Sequence, residues 1–465
     1  MSKRTVREAG WHKSAYNLIS KIPGTDKIGI ANIYRGSFVV CTPGEVFLLS
    51  EIESLPEDHP IVEVFKKRGL IVNFDEREKL IGVSDPCYVG NAFVTLTVAV
   101  TMACNFDCAY CFEFHRGSRM TPKTQEHVIM LADRMLEVSG RKGLQITWFG
   151  GEPLLAPDII DNMSARFMEI AEKRGIAYSA SISTNGYLLT QDIVDMLHRN
   201  KIEEAVISLD GVGKIHDDVR HLAGGGPTFD RITHNLRTLK IPFTVYIRQP
   251  VHAQNEPQLY ELRDYVKKLA EESGNNIIHI PDIAIGYAAP EERSVKVNMI
   301  SDEAAARVLA LRDTARFSKA RGHYCGANSL WSLVIHATGA LHKCWGVIDH
   351  PAFAFGYTGE WDPADPFGTA AHPEKLQCFF DTNISNNGDK ECRECIWLPL
   401  CVGGCSYFRI LYRKECVAYK DYPGEFMLGL YNRMQKKKNK RPKGGVTRFC
   451  GPSLTTRHTT RTKNS

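Results

Sequence analysis

The sequence has no long hydrophobic run. Nothing in it approaches the ~20 apolar residues that a membrane-spanning helix requires. Its first residues, MSKRTVREAGWHKSAYNL, lack the apolar core of an export signal. Both absences point to a cytoplasmic chain with no membrane partner. A strong charge of one sign is missing as well. The net charge is +5 over 465 residues, so nucleic acid is not an expected partner. Positive charge gathers only at the end, in QKKKNKRPKGGVTRFCGPSLTTRHTTRTKNS. That stretch shows no apolar periodicity, and residues 431–465 read as a basic, solvated, disordered tail.

Hydrophobic residues make up 43% of the chain and charged ones 24%, which is ordinary for a globular protein. The 14 cysteines are not ordinary. Without an export signal they are not expected in disulfides, and the alternative is metal. In CNFDCAYCFE three of them, Cys104, Cys108 and Cys111, crowd together and no fourth follows. Structural zinc closes with four ligands. A four-iron cluster takes one cysteine per iron, so three thiolates leave one iron open to a chelating amine and carboxylate.

Between about 93 and 315 the sequence alternates strand and helix patterns. FVTLTVAV, LQITWF, YSASIS, EAVISL, FTVYIRQPV and IIHIPDIAI read as strands. Between them lie helical segments such as TPKTQEHVIMLADRMLEVSG, with Thr121 as cap and Pro122 in the first turn. Six such repeats imply an α/β fold, a parallel sheet curved into a partial (β/α)6 barrel. Reactive residues on such sheets lie at the C-terminal strand ends, and Cys104 comes just after the first strand. Residues 1–90 read as a small α+β module, with KIGIANI, SFVVCT and LIVNF as strands and EVFLLSEIESL and HPIVEVFKKRG as helices. The expected divisions are therefore 1–90, 91–318, a cysteine-rich part at 319–430, and the tail.

The C-x3-C-x2-C triad after a first strand, with Tyr110 inside it, resembles the radical S-adenosylmethionine (radical SAM) family. So do FGGEPLL (149–155), STNG (183–186) and SLDG (208–211), each at a strand end. The resemblance implies a 4Fe–4S cluster on Cys104, Cys108 and Cys111 that donates an electron to bound SAM, giving methionine and a 5′-deoxyadenosyl radical. It implies SAM contacts from Tyr110, Gly150, Gly151, Glu152, Thr184, Asn185, Ser208 and Asp210. Glu152 would accept from the methionine ammonium, and Gly150 and Gly151 would expose backbone groups. Arg220 and Arg248 are the candidates for the carboxylate. Any one of these is equally readable as a turn glycine or a surface charge; their order along the strands is what speaks for the site.

Further on, C-x13-G-x4-C (Cys325, Gly339, Cys344) and C-x2-C-x5-C-x3-C-x10-C (Cys392, Cys395, Cys401, Cys405, Cys416) resemble the SPASM extension of that family. The resemblance implies two auxiliary 4Fe–4S clusters, three in all. One would take Cys392, Cys395, Cys401 and Cys416, the other Cys325, Cys344 and Cys405. Lys319 stands where some members have a further cysteine, which leaves His323, Cys378 or a substrate thiolate as the fourth ligand. A zinc ribbon is the alternative for C-x2-C spacing. Cys41, Cys87 and Cys450 read as buried thiols.

SPASM enzymes act mostly on peptides. The N-terminal module, residues 13–85, resembles the leader-recognition element of enzymes that mature ribosomally made peptides. A leader bound as an added strand leaves the core peptide free. The expected activity is a radical SAM oxidoreductase that crosslinks a ribosomal precursor peptide, thioether first and carbon–carbon second. A flavodoxin or ferredoxin would be the reducing partner. An anaerobic sulfatase-maturing, formylglycine-forming enzyme is the alternative. Trp345 counts against it, since those enzymes carry an aspartate after the cysteine of G-x4-C. A non-catalytic iron–sulfur electron carrier or sensor is the reading outside enzymology, and it would need none of the strand-end motifs.

Overall fold

The computed structural model describes residues 4–82, 93–114, 117–284, 300–317, 325–412, 414 and 416–439. Cys87, Lys319, His323 and Cys450 lie outside the described residues. The chain forms two compact units. One groups the N-terminal residues through Glu76 with Thr314–Phe317 and the helix from Pro423. The other holds Arg77–Asp313 and the segment from Cys325 to Tyr422.

In the first unit, β1 (His12–Lys13) pairs antiparallel with β5 (Ile71–Val72). The strands β2 (Asn17–Lys21), β3 (Ile28–Asn32) and β4 (Ser37–Cys41) form an antiparallel sheet in that order. Helix α1 (Pro43–Ser50) starts at a capping box, Thr42 Oγ1 accepting from Glu45 N while Glu45 Oε2 accepts from Thr42 N. Helix α2 (Pro60–Arg68) ends at Gly69, whose φ of 68° is a left-handed cap. Strand β2 is absent from the sequence reading because its residues alternate between half-buried and exposed, a weak signal. Helix α3 (Glu76–Gly82) follows.

The second unit is built on one sheet. Strands β6 (Phe93–Thr101), β7 (Gly143–Gly150), β8 (Ala177–Thr184), β9 (Ile202–Ser208), β10 (Thr244–Val251) and β11 (Ile277–Ile283) lie side by side in sequence order, every pair parallel. Helices α4 (Pro122–Ser139), α5 (Pro157–Arg174), α6 (Gln191–Arg199), α7 (Lys214–Asp217), α8 (Phe229–Thr238) and α9 (Leu259–Ser273) connect them. Their apolar faces, such as Val128, Ala132 and Met135 of α4, share one core with Leu96, Ile146 and Ile182 of the sheet. The sheet is open among the described strands, as a partial barrel requires. Helix α10 (Asp302–Arg316) ends the series.

The cysteine-rich part is more regular than its sequence suggests. Strand β12 (Ser332–Ile335) adds to β6 in parallel, and β13 (Ala340–His342) and β14 (Gly356–Tyr357) extend the same sheet antiparallel. Its short helices are α11 (Pro373–Asp381), α12 (Lys390–Glu394), α13 (Leu398–Cys401) and α14 (Ser406–Leu411); Cys378, Cys392 and Cys401 lie within them, and Cys395 and Cys405 cap them. Helix α15 (Pro423–Asn439) runs through residue 431, where the sequence reading began a disordered tail. It is ordered by its contacts. Phe426, Met427 and Leu430 are buried, Met427 lies against Gly29, and Lys27 Nζ donates to Tyr431 Oη at 2.8 Å.

Candidate active site

The three-cysteine loop leaves the end of β6 and is held by a second loop beside it. Asp107 N donates to His221 O, Ala109 N to Val219 O, and Ala223 N to Asn105 O, all at 2.9–3.0 Å. Cys108 is buried; Cys104 and Cys111 are partly so. The thiols feel one another. Burial pushes Cys104 up to about 12, and Cys108, Glu152 and Glu113 add to it. Burial, then Glu113, Cys108 and Cys104, hold Cys111 well above the ordinary thiol range. Three thiolates persist here only with a strong positive centre among them. Among the described residues no three such side chains converge on a single ion. A four-iron cube instead spreads its thiolates, one to each iron. The donor set fits that group.

The glycine pair after β7 brings the second motif against this loop. Gly150 has a φ of 130°, and a Cβ there would meet Thr101 O at 2.1 Å. A Cβ on Gly151 would meet Ala103 O at 2.4 Å and Met102 O at 2.6 Å. The sequence reading gave these glycines exposed backbone groups. The Gly151 amide is instead bonded to Thr101 O, and the Glu152 amide to Ala103 O at 2.8 Å. The glycines serve close approach.

Glu152 is fully buried. Its Oε1 accepts from Leu154 N at 3.0 Å and Thr184 Oγ1 at 2.7 Å, and its Oε2 accepts from Asn185 N at 2.7 Å. Burial lifts its carboxyl above the usual range against these bonds. A carboxylate has about four lone-pair positions, so Oε2 keeps one for an ammonium. Asn185 Nδ2 in turn donates to Asn105 Oδ1 at 2.7 Å, inside the cysteine loop. STNG, GGE and the triad are thus one bonded assembly.

Tyr110, Asp210 and Arg220 are bonded to each other. The Tyr110 hydroxyl donates to Asp210 at 2.8 and 2.9 Å and accepts from Arg220 Nη1 at 2.8 Å. His252 Nε2 stands 3.5 Å from Asp210 Oδ1. Two buried atoms here, Arg220 Nε and His252 Nε2, have no hydrogen-bond partner. Burial opposes charge on Arg220, but Cys108, Tyr110 and Asp210 hold its pKa well above the ordinary value. Arg248, the second carboxylate candidate, is paired with Asp282 at 3.1 Å, which Arg312 also grips. Ser208 lies beside Arg248 in register and is half-buried.

Several of the later cysteines raise one another's pKa. Burial raises Cys344, and Cys325 and Cys405 raise it further; Cys325 is raised by burial and Cys405. Burial pushes Cys401 up to about 11, with Cys392, Cys416 and Cys395 adding. Cys378 packs in one apolar cluster with Cys344 and Cys405, and its thiol donates to Lys375 O at 3.1 Å. Cys41, read as buried, is half-buried beside the core of the first unit. Among the described cysteines there is no disulfide.

Several residues of this region were not singled out in the sequence. Asn105 and His252 carry no motif signal beyond their places after β6 and β10. Glu113 is buried and pushed up to about 8 by burial, with Asp349 and Glu152 adding. Its place two residues after Cys111 was the available hint. Trp345 sits with Phe112 and Phe149, ring centroids 5.8 and 6.4 Å away.

Residues 98–243 match the model of the Radical SAM superfamily. A cysteine-type anaerobic sulfatase-maturating enzyme of Clostridium novyi (strain NT) is 25% identical over 335 residues, 65% of this chain and 84% of that one. A serine-type anaerobic sulfatase-maturating enzyme of Bacteroides thetaiotaomicron is 29% identical over 151 residues, 30% of this chain but only 35% of that relative. The solved structure of native anSMEcpe with bound AdoMet shares the fold, with a TM-score of 0.55 at 19% identity, covering 74% of this chain and 99% of that one.

Proposed function

We propose, from the match of residues 98–243 to the Radical SAM superfamily and the SPASM-like cysteine pattern behind it, that this chain oxidises a residue within a ribosomally made peptide. The observation that carries the reading is the bonded assembly of the three-cysteine loop, Glu152, Thr184 and Asn185 at the ends of adjacent parallel strands. Cys104, Cys108 and Cys111 would each hold one iron. Glu152 Oε2 would accept from the ammonium of SAM, with Asn185 and Thr184 keeping the carboxylate aimed. Arg220, bonded to Tyr110 and with its Nε 3.7 Å from Asp210, would meet the carboxylate of SAM. When bound, SAM and its cluster supply one-electron chemistry that removes a hydrogen atom from the substrate. The later cysteines, in their two sets, would hold auxiliary clusters that take up the electron released when the product forms. A flavodoxin or ferredoxin would supply the priming electron.

The peptide class rests on two supports. Relatives matching most of their length to this chain are named for acting on sulfatases. The N-terminal sheet has β2 and β4 as outer strands, so a leader can add to an edge. Crosslinking, thioether first, is the product we propose. Formylglycine formation is the second reading, favoured by the 84% coverage of the Clostridium novyi relative.

Anaerobic, reconstituted full-length protein with a reductant should cleave SAM to methionine and 5′-deoxyadenosine. Failure to do so with all iron in place would leave an electron carrier or sensor. With a precursor peptide, each ring should lower the peptide mass by two hydrogens and give no hydrazide-reactive product. An aldehyde at Cys or Ser would replace crosslinking by formylglycine formation. Removing residues 1–85 should weaken peptide binding while peptide-free SAM cleavage persists. Normal modification by that truncated chain would remove the leader-binding role.

A further inference from the structure

The four-cysteine set has cations bonded to its sulfurs. Arg409 Nη2 donates to Cys392 Sγ at 3.1 Å, and Lys420 Nζ donates to Cys416 Sγ at 3.7 Å. Arg409 is fixed for this contact. Its Nε donates to Gly403 O at 2.6 Å, its Nη2 also reaches Asp389 Oδ2 at 3.2 Å, and its side chain is only 13% exposed. The Gly403 carbonyl belongs to an unusual turn. Val402, Gly403 and Gly404 all have positive φ, 47°, 93° and 90°. A β-branched residue in that region is strained, and it stands directly after Cys401.

The charges around the set do not cancel. Lys414 donates to Asp389 at 3.1 Å and to Glu391 at 2.6 Å, and Glu391 also accepts from Lys420 at 2.8 Å. Asp389 itself caps α12 by accepting from Cys392 N at 3.0 Å. Arg409, Lys414 and Lys420 therefore face two carboxylates, Asp389 and Glu391. One positive charge is left over, and two cationic donors are aimed at thiolates. Hydrogen bonds to cluster sulfurs and nearby positive charge both favour the reduced state of an iron–sulfur group.

We infer that Arg409 and Lys420 raise the reduction potential of the group held by Cys392, Cys395, Cys401 and Cys416, which makes that group an electron acceptor for the reaction. The inference rests on the reading that these four cysteines hold a cluster. As the new bond forms, the carbon radical on the peptide gives up one electron, and the attacking group's proton goes to water. The electron reduces the oxidised cluster by one, with Arg409 and Lys420 stabilising the added charge. An oxidised one-electron carrier protein of the ferredoxin or flavodoxin class then takes it away.

The test is a redox titration followed by electron paramagnetic resonance, on full-length protein in which Cys104, Cys108 and Cys111 are replaced by Ala, so that only auxiliary signals remain. Arg409→Met and Lys420→Met should each shift one auxiliary potential to lower values at unchanged iron per chain. Arg409→Lys should lie closer to the parent than Arg409→Met. A merely structural Arg409 would change thermal stability and leave the potential alone. Parent-like potentials in both Met variants at full iron would overturn the inference. If Arg409→Met loses iron, the Lys420→Met potential decides by the same criterion. A parent protein that takes up no auxiliary iron overturns the underlying reading, and the iron assay reports that separately.

Discussion

Tyr110 and Asp210 are joined by a hydroxyl that reaches both carboxylate oxygens, at 2.8 and 2.9 Å, while accepting from Arg220. One phenol thus bridges a buried ion pair and anchors the middle of the cysteine loop to the end of β9. Its pKa is held well above the ordinary phenol value by burial, so it stays a donor at every working pH. Tyr110→Phe removes the bridge and leaves Arg220 and Asp210 facing each other without it. Stability to denaturant should fall by ~1–3 kcal/mol, the usual result of stranding buried polar groups. An unchanged midpoint would show that the bridge contributes nothing.

Iron content tests the metal assignments. Three four-iron clusters correspond to about twelve irons per chain. Replacing Cys104, Cys108 and Cys111 by Ala should remove about a third of them and abolish SAM cleavage. Stoichiometric zinc and no iron in anaerobically isolated protein would contradict every cluster assigned here.

Glu152→Gln keeps an acceptor beside Thr184 and loses the charge. SAM affinity should fall roughly tenfold or more, as expected for a lost charge-assisted bond, and iron should be unchanged. Glu152→Ala should do the same and also loosen the ends of β7 and β8, because Thr184 and Asn185 lose their acceptor. Equilibrium binding of SAM to the anaerobic protein measures this. Parent-like affinity in both variants would take Glu152 out of the site.

Gly151→Ala should be severely destabilising for a single added methyl. The added carbon would press on the carbonyls of Ala103 and Met102, which are backbone and cannot rotate away. Overpacking of this kind costs about 1–3 kcal/mol, and the displaced segment is the one leading into Cys104. Lower stability should come with weaker iron retention. Normal iron binding would show that the loop tolerates the shift.

The buried His216 and the half-buried His279 predict loss of stability in acid. Burial lowers His216 and His279 to about 4 each. His216 Nδ1 accepts from Asp210 N, so its proton sits on Nε2 and goes to Thr228 Oγ1. Both rings are neutral when folded and take up protons on unfolding. Their contribution is complete above the unfolded value of about 6.5 and is lost as pH falls toward 4. Denaturant melts at pH 7 and pH 5 should show the drop, and His279→Gln should reduce it. A flat profile would mean that these rings are solvated.

Much of the second unit was legible in the sequence because buried parallel strands are short β-branched runs between capped helices. FVTLTVAV, LQITWF, YSASIS and EAVISL lie side by side in the order written. What could not be read was commitment. Whether Arg248 is spare depends on Asp282 on the next strand, and whether Gly151 offers its amide depends on Thr101 across the sheet. Such pairings join residues far apart in sequence, and no local pattern encodes them. The strand SLVI was missed for a related reason. It is too short to declare itself, and only the open edge of β6 makes it a strand.

That edge has a consequence in time. Val98 on β6 pairs with Ile335 on β12, so on the ribosome β6 exists long before one of its two neighbours. At ordinary synthesis rates the wait is on the order of tens of seconds. During it the strand that leads into Cys104 presents bare amides and carbonyls to any passing chain. Overproduced protein should aggregate through that edge in its nascent state, and slower translation should make matters worse.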